Sequence, residues 1–249
     1  MMYLRLEFFK CRRRKIVPVC AALLGAQLIW FVIYLLRQDA QALSQGWMLL
    51  LYNLALDDAI MLPLTVAVIA SRSCEVEHRG NTFKLLETAA TPGRLYGAKL
   101  GWGAVVLGGL LALRAVLFAA LGACIGFAGA IPWGRAAVFT VVSWAVSFML
   151  YALQQGLSLA FANQALALVG GIFGSFFGVM SLLFPVTLQR CAPWGYYGLM
   201  ALAGMLWDET TRAVSFYWRW PQALDIALLC AWTATFVVAG RTMFVRKEV

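Results

Sequence analysis

Few side chains in this sequence could do chemistry, and most of those stand among apolar neighbours. Asp57 and Asp58 interrupt one apolar run, Arg114 interrupts another, and Ser175 follows Gly174 in a third. An ionisable group at the centre of a membrane span costs roughly 2.5–3.5 kcal/mol on insertion scales, and such groups face a cavity or an opposite charge. One aspartate lining a passage, or pairing with Arg114, would meet that condition. Were the run to enter the membrane later, both aspartates would instead sit near the outer interface. Asp225, near the start of a further apolar run, reads as interfacial. Ser175 would need a base to act as a nucleophile, and the sole histidine, His78, lies in a distant polar stretch. No H-E-x-x-H and no G-x-x-x-x-G-K-[ST] occurs, so neither a metalloprotease site nor a P-loop is present. The six cysteines, at positions 11, 20, 74, 124, 191 and 230, have neither zinc-ligand spacing nor the pattern of a disulfide framework.

The elements that would position these residues are membrane helices. The chain of 249 residues is 63% hydrophobic and only 12% charged, whereas soluble domains carry about 25% charged residues. Mean hydropathy is +0.80. The apolar runs are continuous rather than alternating, which selects helices over a barrel. Six spans are expected, at about 16–36, 47–70, 100–127, 136–160, 165–186 and 222–240, in one all-α polytopic membrane domain covering 1–249. The first run precedes Ala40-Gln41-Ala42 and has the outline of a signal peptide, but its 21 residues exceed the roughly 7–15 of a signal core and fit a span. Ahead of it, Leu4, Phe8 and Cys11 share a helical stripe with Arg5, Arg12 and Lys15 off it, the pattern of a helix lying in the membrane surface.

The net charge of +9 follows membrane topology rather than a nucleic-acid partner. Fourteen of the basic residues fall in the two terminal segments and the link after the second span, and five on the other side. This places both termini and that link in the cytoplasm.

The link, Ser71–Lys99, holds eight of the 31 charged residues. Glu75 and Glu77 close the second span. Gly80-Asn81-Thr82 forms a turn with Asn81 or Thr82 as helix cap. Thr82–Ala90 reads as a short helix with Phe83, Leu86 and Ala90 on one stripe, stopped by Thr91-Pro92-Gly93. Such a helix suits docking into a groove on a partner; a loop resting on the membrane surface is the alternative.

These residues carry a resemblance. Glu77-x-x-x-Asn81-Thr82-Phe83-Lys84-x-Leu86, then Pro92-x-Arg94-x-Tyr96-x-x-Lys99, resembles the loop between spans two and three of ABC-2-type permeases. It is most similar to the bacitracin- and lantibiotic-immunity group, which reads E-x-x-x-N-T-W-K-x-L and then P-x-x-R-x-x-Y-x-x-K. Phe83 stands in place of tryptophan, and one residue, not two, separates Arg94 from Tyr96. The resemblance implies that Asn81–Ala90 is a coupling helix seated in a cleft of a separate ATP-hydrolysing subunit. Glu75, Glu77, Asn81, Thr82, Phe83, Lys84, Leu86, Pro92 and Arg94 would form the coupling surface, and the Phe161–Gln164 turn a second, smaller contact. It further implies two copies of that ATPase carrying the ATP and Mg, no cofactor on this chain, and a second permease, identical or homologous. The setting would be a bacterial cytoplasmic membrane, and the cargo an exported antimicrobial peptide, drug or lipid-like amphiphile.

Gly170, Gly174 and Gly178 form a doubled G-x-x-x-G stripe, and Gly122 and Gly126 repeat it once. Small residues at this spacing allow close helix approach, either within the chain or, as the resemblance favours, at a dimer seam. The Thr187–Pro221 link, rich in tryptophan and tyrosine, reads as an interfacial anchoring belt; by resemblance it would form short external helices that dip back into the membrane. Two rival classes are an intramembrane protease and a non-transporting anchor or sensor. Phe176 after Ser175, where a rhomboid-type site has glycine, speaks against the first. The coupling-like motif speaks against the second.

Overall fold

A computed structural model describes residues 2–11, 15–80, 91–161, 163–209 and 213–247. Among them, six helices are long and apolar enough to cross a membrane, as the sequence leads one to expect. α1 (Met2–Cys11) is followed by α2 (Ile16–Leu35), α3 (Ala40–Ser44), α4 (Gly46–Gly80), α5 (Pro92–Ile125), α6 (Trp133–Ala160) and α7 (Gln164–Ser181). Short helices α8 (Val186–Cys191) and α9 (Tyr196–Leu199) lead to an antiparallel hairpin, β1 (Ala203–Asp208) with β2 (Ala213–Trp218), and then to α10 (Ala223–Lys247). The hairpin pairs Ala203 with Trp218 and Asp208 with Ala213. α1 and the end of α10 lie at one end of the bundle, the terminal face, where Tyr96 meets Phe244. The β-strands mark the opposite, hairpin face.

α4 is the axis of the bundle. Its most apolar window is 72% buried, against 17–44% for the other spans, and it packs on α6 and α7. Ala59, Leu62, Val66 and Ile69 of α4 meet Leu107 and Leu111 of α5 and Val146, Met149 and Leu150 of α6 in the central core. Pro63 lies inside α4 and brings no N–H to the carbonyl of Ala59. That carbonyl faces Gly178 of α7, where a Cβ would approach it to 3.1 Å.

The structure redraws three boundaries. α4 runs ten residues past the expected end at 70, and α5 begins at Pro92 rather than near 100. Most of the wet link is therefore helix continuing from the two spans. Pro92 opens α5 instead of merely stopping what precedes it, because its fixed φ suits a first helical turn. α7 ends at Ser181 rather than near 186, since Pro185 disfavours helix at the residue before it. The 187–221 link is also more structured than an anchoring belt. Its hairpin is held by Arg219, which donates from Nε to the Ala201 carbonyl at 2.8 Å and from Nη2 to those of Gly198 and Leu199 at 2.9 and 2.6 Å. Arg135 lies over the Trp218 and Trp220 rings at 4.2 and 5.2 Å, the geometry of a cation–π stack.

Candidate coupling region and intramembrane polar cluster

α4 and α5 are joined by two polar assemblies. The first lies between the faces. Asp58 is about 18 Å along α4 from Gly46 at 1.5 Å per residue. Asp58 is fully buried, and its carboxylate accepts from both terminal nitrogens of Arg114: Nη1 on Oδ1, and Nη2 on Oδ2 at 3.1 Å. Ser143 of α6 donates to Oδ2 at 3.0 Å, and the guanidinium lies 5.8 Å from the Phe139 ring centre. One fork thus fixes α4, α5 and α6. Bidentate arginine–carboxylate pairs combine charge with fixed geometry, which suits a group that has no water to fall back on.

Asp57 faces elsewhere, since successive helical residues point about 100° apart. It is half-buried and accepts from Gln27 Nε2 of α2 at 2.6 Å. Gln27 is the one amide on the buried stripe of α2, with Cys20, Leu24, Phe31 and Leu35. Arg114 also borders a recess toward the hairpin face, beside Trp47, Leu54, Phe118 and Phe139.

The second assembly lies at the terminal face. Lys99, eight residues into the expected loop side of α5, is buried. Its Nζ donates to Glu7 Oε2 and to the Ser73 carbonyl, each at 2.9 Å, and stands 2.8 Å from Glu77 Oε2 as an ion pair. Lys10 completes the square, donating to Glu7 Oε1 at 3.3 Å and Glu77 Oε1 at 3.1 Å. Two carboxylates and two ammonium groups balance, so the cluster is neutral while it ties α1, α4 and α5 together. Phe8 of α1 adds an edge contact to Trp102 at 6.3 Å. Burial pushes the thiol of neighbouring Cys11 up to about 12; nearby Lys99 opposes this and Glu7 adds to it.

The site residues expected from the sequence therefore separate. Asp58 and Arg114 meet; Asp57 takes a different partner. Glu77 is at 0% exposure, its carboxylate held between Lys10 and Lys99 rather than exposed. Glu75 is buried and stands 3.5 Å from Arg72. Pro92 is half-buried and Arg94 exposed at the start of α5. Asn81, Thr82, Phe83, Lys84 and Leu86, and with them the expected helix Asn81–Ala90, lie outside the described residues. In the α6–α7 turn Phe161 is exposed and Asn163 caps α7, its side chain accepting from the Ala165 N–H at 3.0 Å.

The glycine stripe faces inward. A Cβ at Gly174 would collide with the Trp194 indole, and one at Gly178 would press on Ala59 and Trp194. These two positions serve packing within the chain and leave no room for a second copy. Gly170 is less crowded, 3.9 Å from Leu157. The outward face of α7 is instead Leu166, Val169, Phe173 and Phe176. Among the described residues, no group of histidine, cysteine and carboxylate side chains could hold a metal ion.

Glu7, Lys10, Gln27 and Ser143 were not singled out by sequence reasoning. Glu7 was legible: it falls on the same stripe as Leu4 and Cys11, a lone carboxylate on an apolar face.

The architecture is that of a polytopic α-helical membrane protein whose polar groups gather between its central helices and at one end. The profile of the ABC-2 family transporter proteins matches residues 3–206, and the chain belongs to that family. It is a membrane-spanning permease subunit of an ABC transporter, a transport component rather than an enzyme. No curated protein sequence matches it.

Proposed function

We propose that the chain is the permease of an ATP-driven exporter that moves an amphiphile, such as an antimicrobial peptide or a lipid-like drug, out of the membrane or cell. Its Asn81–Ala90 segment docks on the ATPase. The supporting observation is the placement of that segment. It joins α4 to α5, and the same two helices carry the Glu77–Lys99 contact at its root and the Asp58–Arg114 fork deeper in the bundle. A push on the segment therefore reaches the intramembrane cluster through two helices that are ionically bridged at both levels. Pro63 lies in α4 between the bridges, where a missing backbone bond gives the helix a place to bend.

In this reading both termini are cytoplasmic in a bacterial inner membrane, and two ATPase subunits bind from that side with ATP and Mg. A second permease, identical or homologous, completes the passage, with Asp57, Asp58 and Arg114 near it. The bacitracin- and lantibiotic-immunity motif supports a peptide-like cargo. The test is purification of the tagged full chain from its native membrane. An ABC ATPase should accompany it, and replacing Asn81–Ala90 by a Gly-Ser linker should release the ATPase while thermal unfolding in micelles stays unchanged. A chain that purifies alone, or retains its partner without the segment, contradicts the proposal.

A further inference from the structure

A long groove opens between α2 and α5. Its walls run from Ile16 to Leu28 on α2 and from Val106 to Leu117 on α5, and its volume is about 420 Å3. No charged, amide or hydroxyl side chain lines it. Two wall positions are glycine, Gly25 and Gly109, and a Cβ at either would meet no atom within 4 Å. Ile16 to Leu28 spans about 18 Å at 1.5 Å per residue, comparable with one leaflet of a hydrocarbon core about 30 Å thick. The groove begins beside Lys15, which is exposed and turns α1 into α2 with φ 54°. In the sequence Arg12, Arg13 and Arg14 immediately precede it.

We propose that this groove holds an acyl chain of an anionic phospholipid from the leaflet at the terminal face, with the phosphate at Lys15. An apolar slot in a membrane-spanning surface excludes polar ligands, and the exposed ammonium of Lys15 at its mouth favours a negatively charged headgroup. A second copy of the chain is the less suitable occupant. A two-fold contact through this groove would place the same patch on both sides and bring two exposed Lys15 side chains together, like charge against like.

The test is native mass spectrometry of the full chain, purified and equilibrated with equimolar phosphatidylglycerol and phosphatidylcholine in mixed micelles. The expected result is preferential retention of one phosphatidylglycerol per chain. Gly25→Leu with Gly109→Leu, which fills open space, should lower that retention at least about tenfold. Lys15→Gln should lower the preference for phosphatidylglycerol over phosphatidylcholine about fivefold. Equal retention of the two lipids, or unchanged retention in the filled variant, overturns the proposal. So does a filled variant that loses an oligomer while keeping its lipid, since the groove would then be an interface between copies. If the filled variant does not fold, the Lys15→Gln preference decides.

Discussion

Between α4 and α5, the tie inside the bundle is one arginine–carboxylate fork backed by Ser143, while the tie at the terminal face is a square of two lysines and two glutamates. Among the described residues the fork has no substitute cation: if Arg114 is removed, Asp58 is left buried with a serine hydroxyl. The square has internal redundancy, because each glutamate touches both lysines. The fork is thus suited to holding one geometry where water is absent. The square is suited to staying charged and joined while one contact loosens, beside the segment proposed to receive the partner. The contrast shows how one pair of helices can be rigid at depth and adjustable at its root.

The sharpest way to break this contrast is Arg114→Gln. It strands a buried carboxylate and should cost about 3–5 kcal/mol, seen as a lowered thermal midpoint in micelles or as loss of monodisperse protein. Asp58→Asn combined with Arg114→Gln should be less damaging than the sum of the singles, because the stranded charge is gone. Strict additivity would mean that the pair does not act as a unit. Lys99→Met should come next, at about 2–3 kcal/mol, since Lys10 still faces both glutamates. Lys10→Met should cost less, about 1 kcal/mol, because Lys10 is the more exposed of the two and Lys99 keeps both carboxylates paired. If the two lysine variants were equal, the square would not have the asymmetry its burial indicates.

Cys11 reports on the square without mutating it. Its thiol is raised to about 12 by burial, so it is protonated at pH 8 and only a minute fraction is the nucleophilic thiolate. Labelling by a charged maleimide at pH 8 should be slow at Cys11 and fast at exposed Cys191. Lys99→Met, by loosening α1, should raise the Cys11 rate at least about tenfold. An unchanged rate would show that α1 is held by Phe8 and Leu4 rather than by charge.

The six spans and the helical class were legible because lipid imposes long continuous apolar runs. The Asp58–Arg114 partnership was legible as a demand for charge balance, whereas the Gln27–Asp57 contact was not, because an apolar run does not name the helix that a lone amide will face. The extension of α4 to Gly80 was hidden because Arg72, Glu75 and Glu77 read as loop residues, while a helix can continue past its apolar stretch and bury the Glu77 carboxylate against α1. Glu77 accordingly lies between Lys10 and Lys99 instead of facing outward. The inward glycine stripe was ambiguous, since G-x-x-x-G spacing states that something packs closely without naming what. The β1–β2 hairpin did carry a local signal in Val214, Phe216, Tyr217 and Trp218, but the same aromatics equally suit an interfacial belt.

The most direct test of the central claim is photo-crosslinking in native membranes from a benzoyl-phenylalanine placed at Phe83, with Trp220 on the hairpin face as the comparison site. The account predicts a crosslink from position 83 to an ATP-hydrolysing subunit and none from position 220. A folded, active chain that gives no ATPase crosslink from position 83, or gives one from position 220, would contradict it.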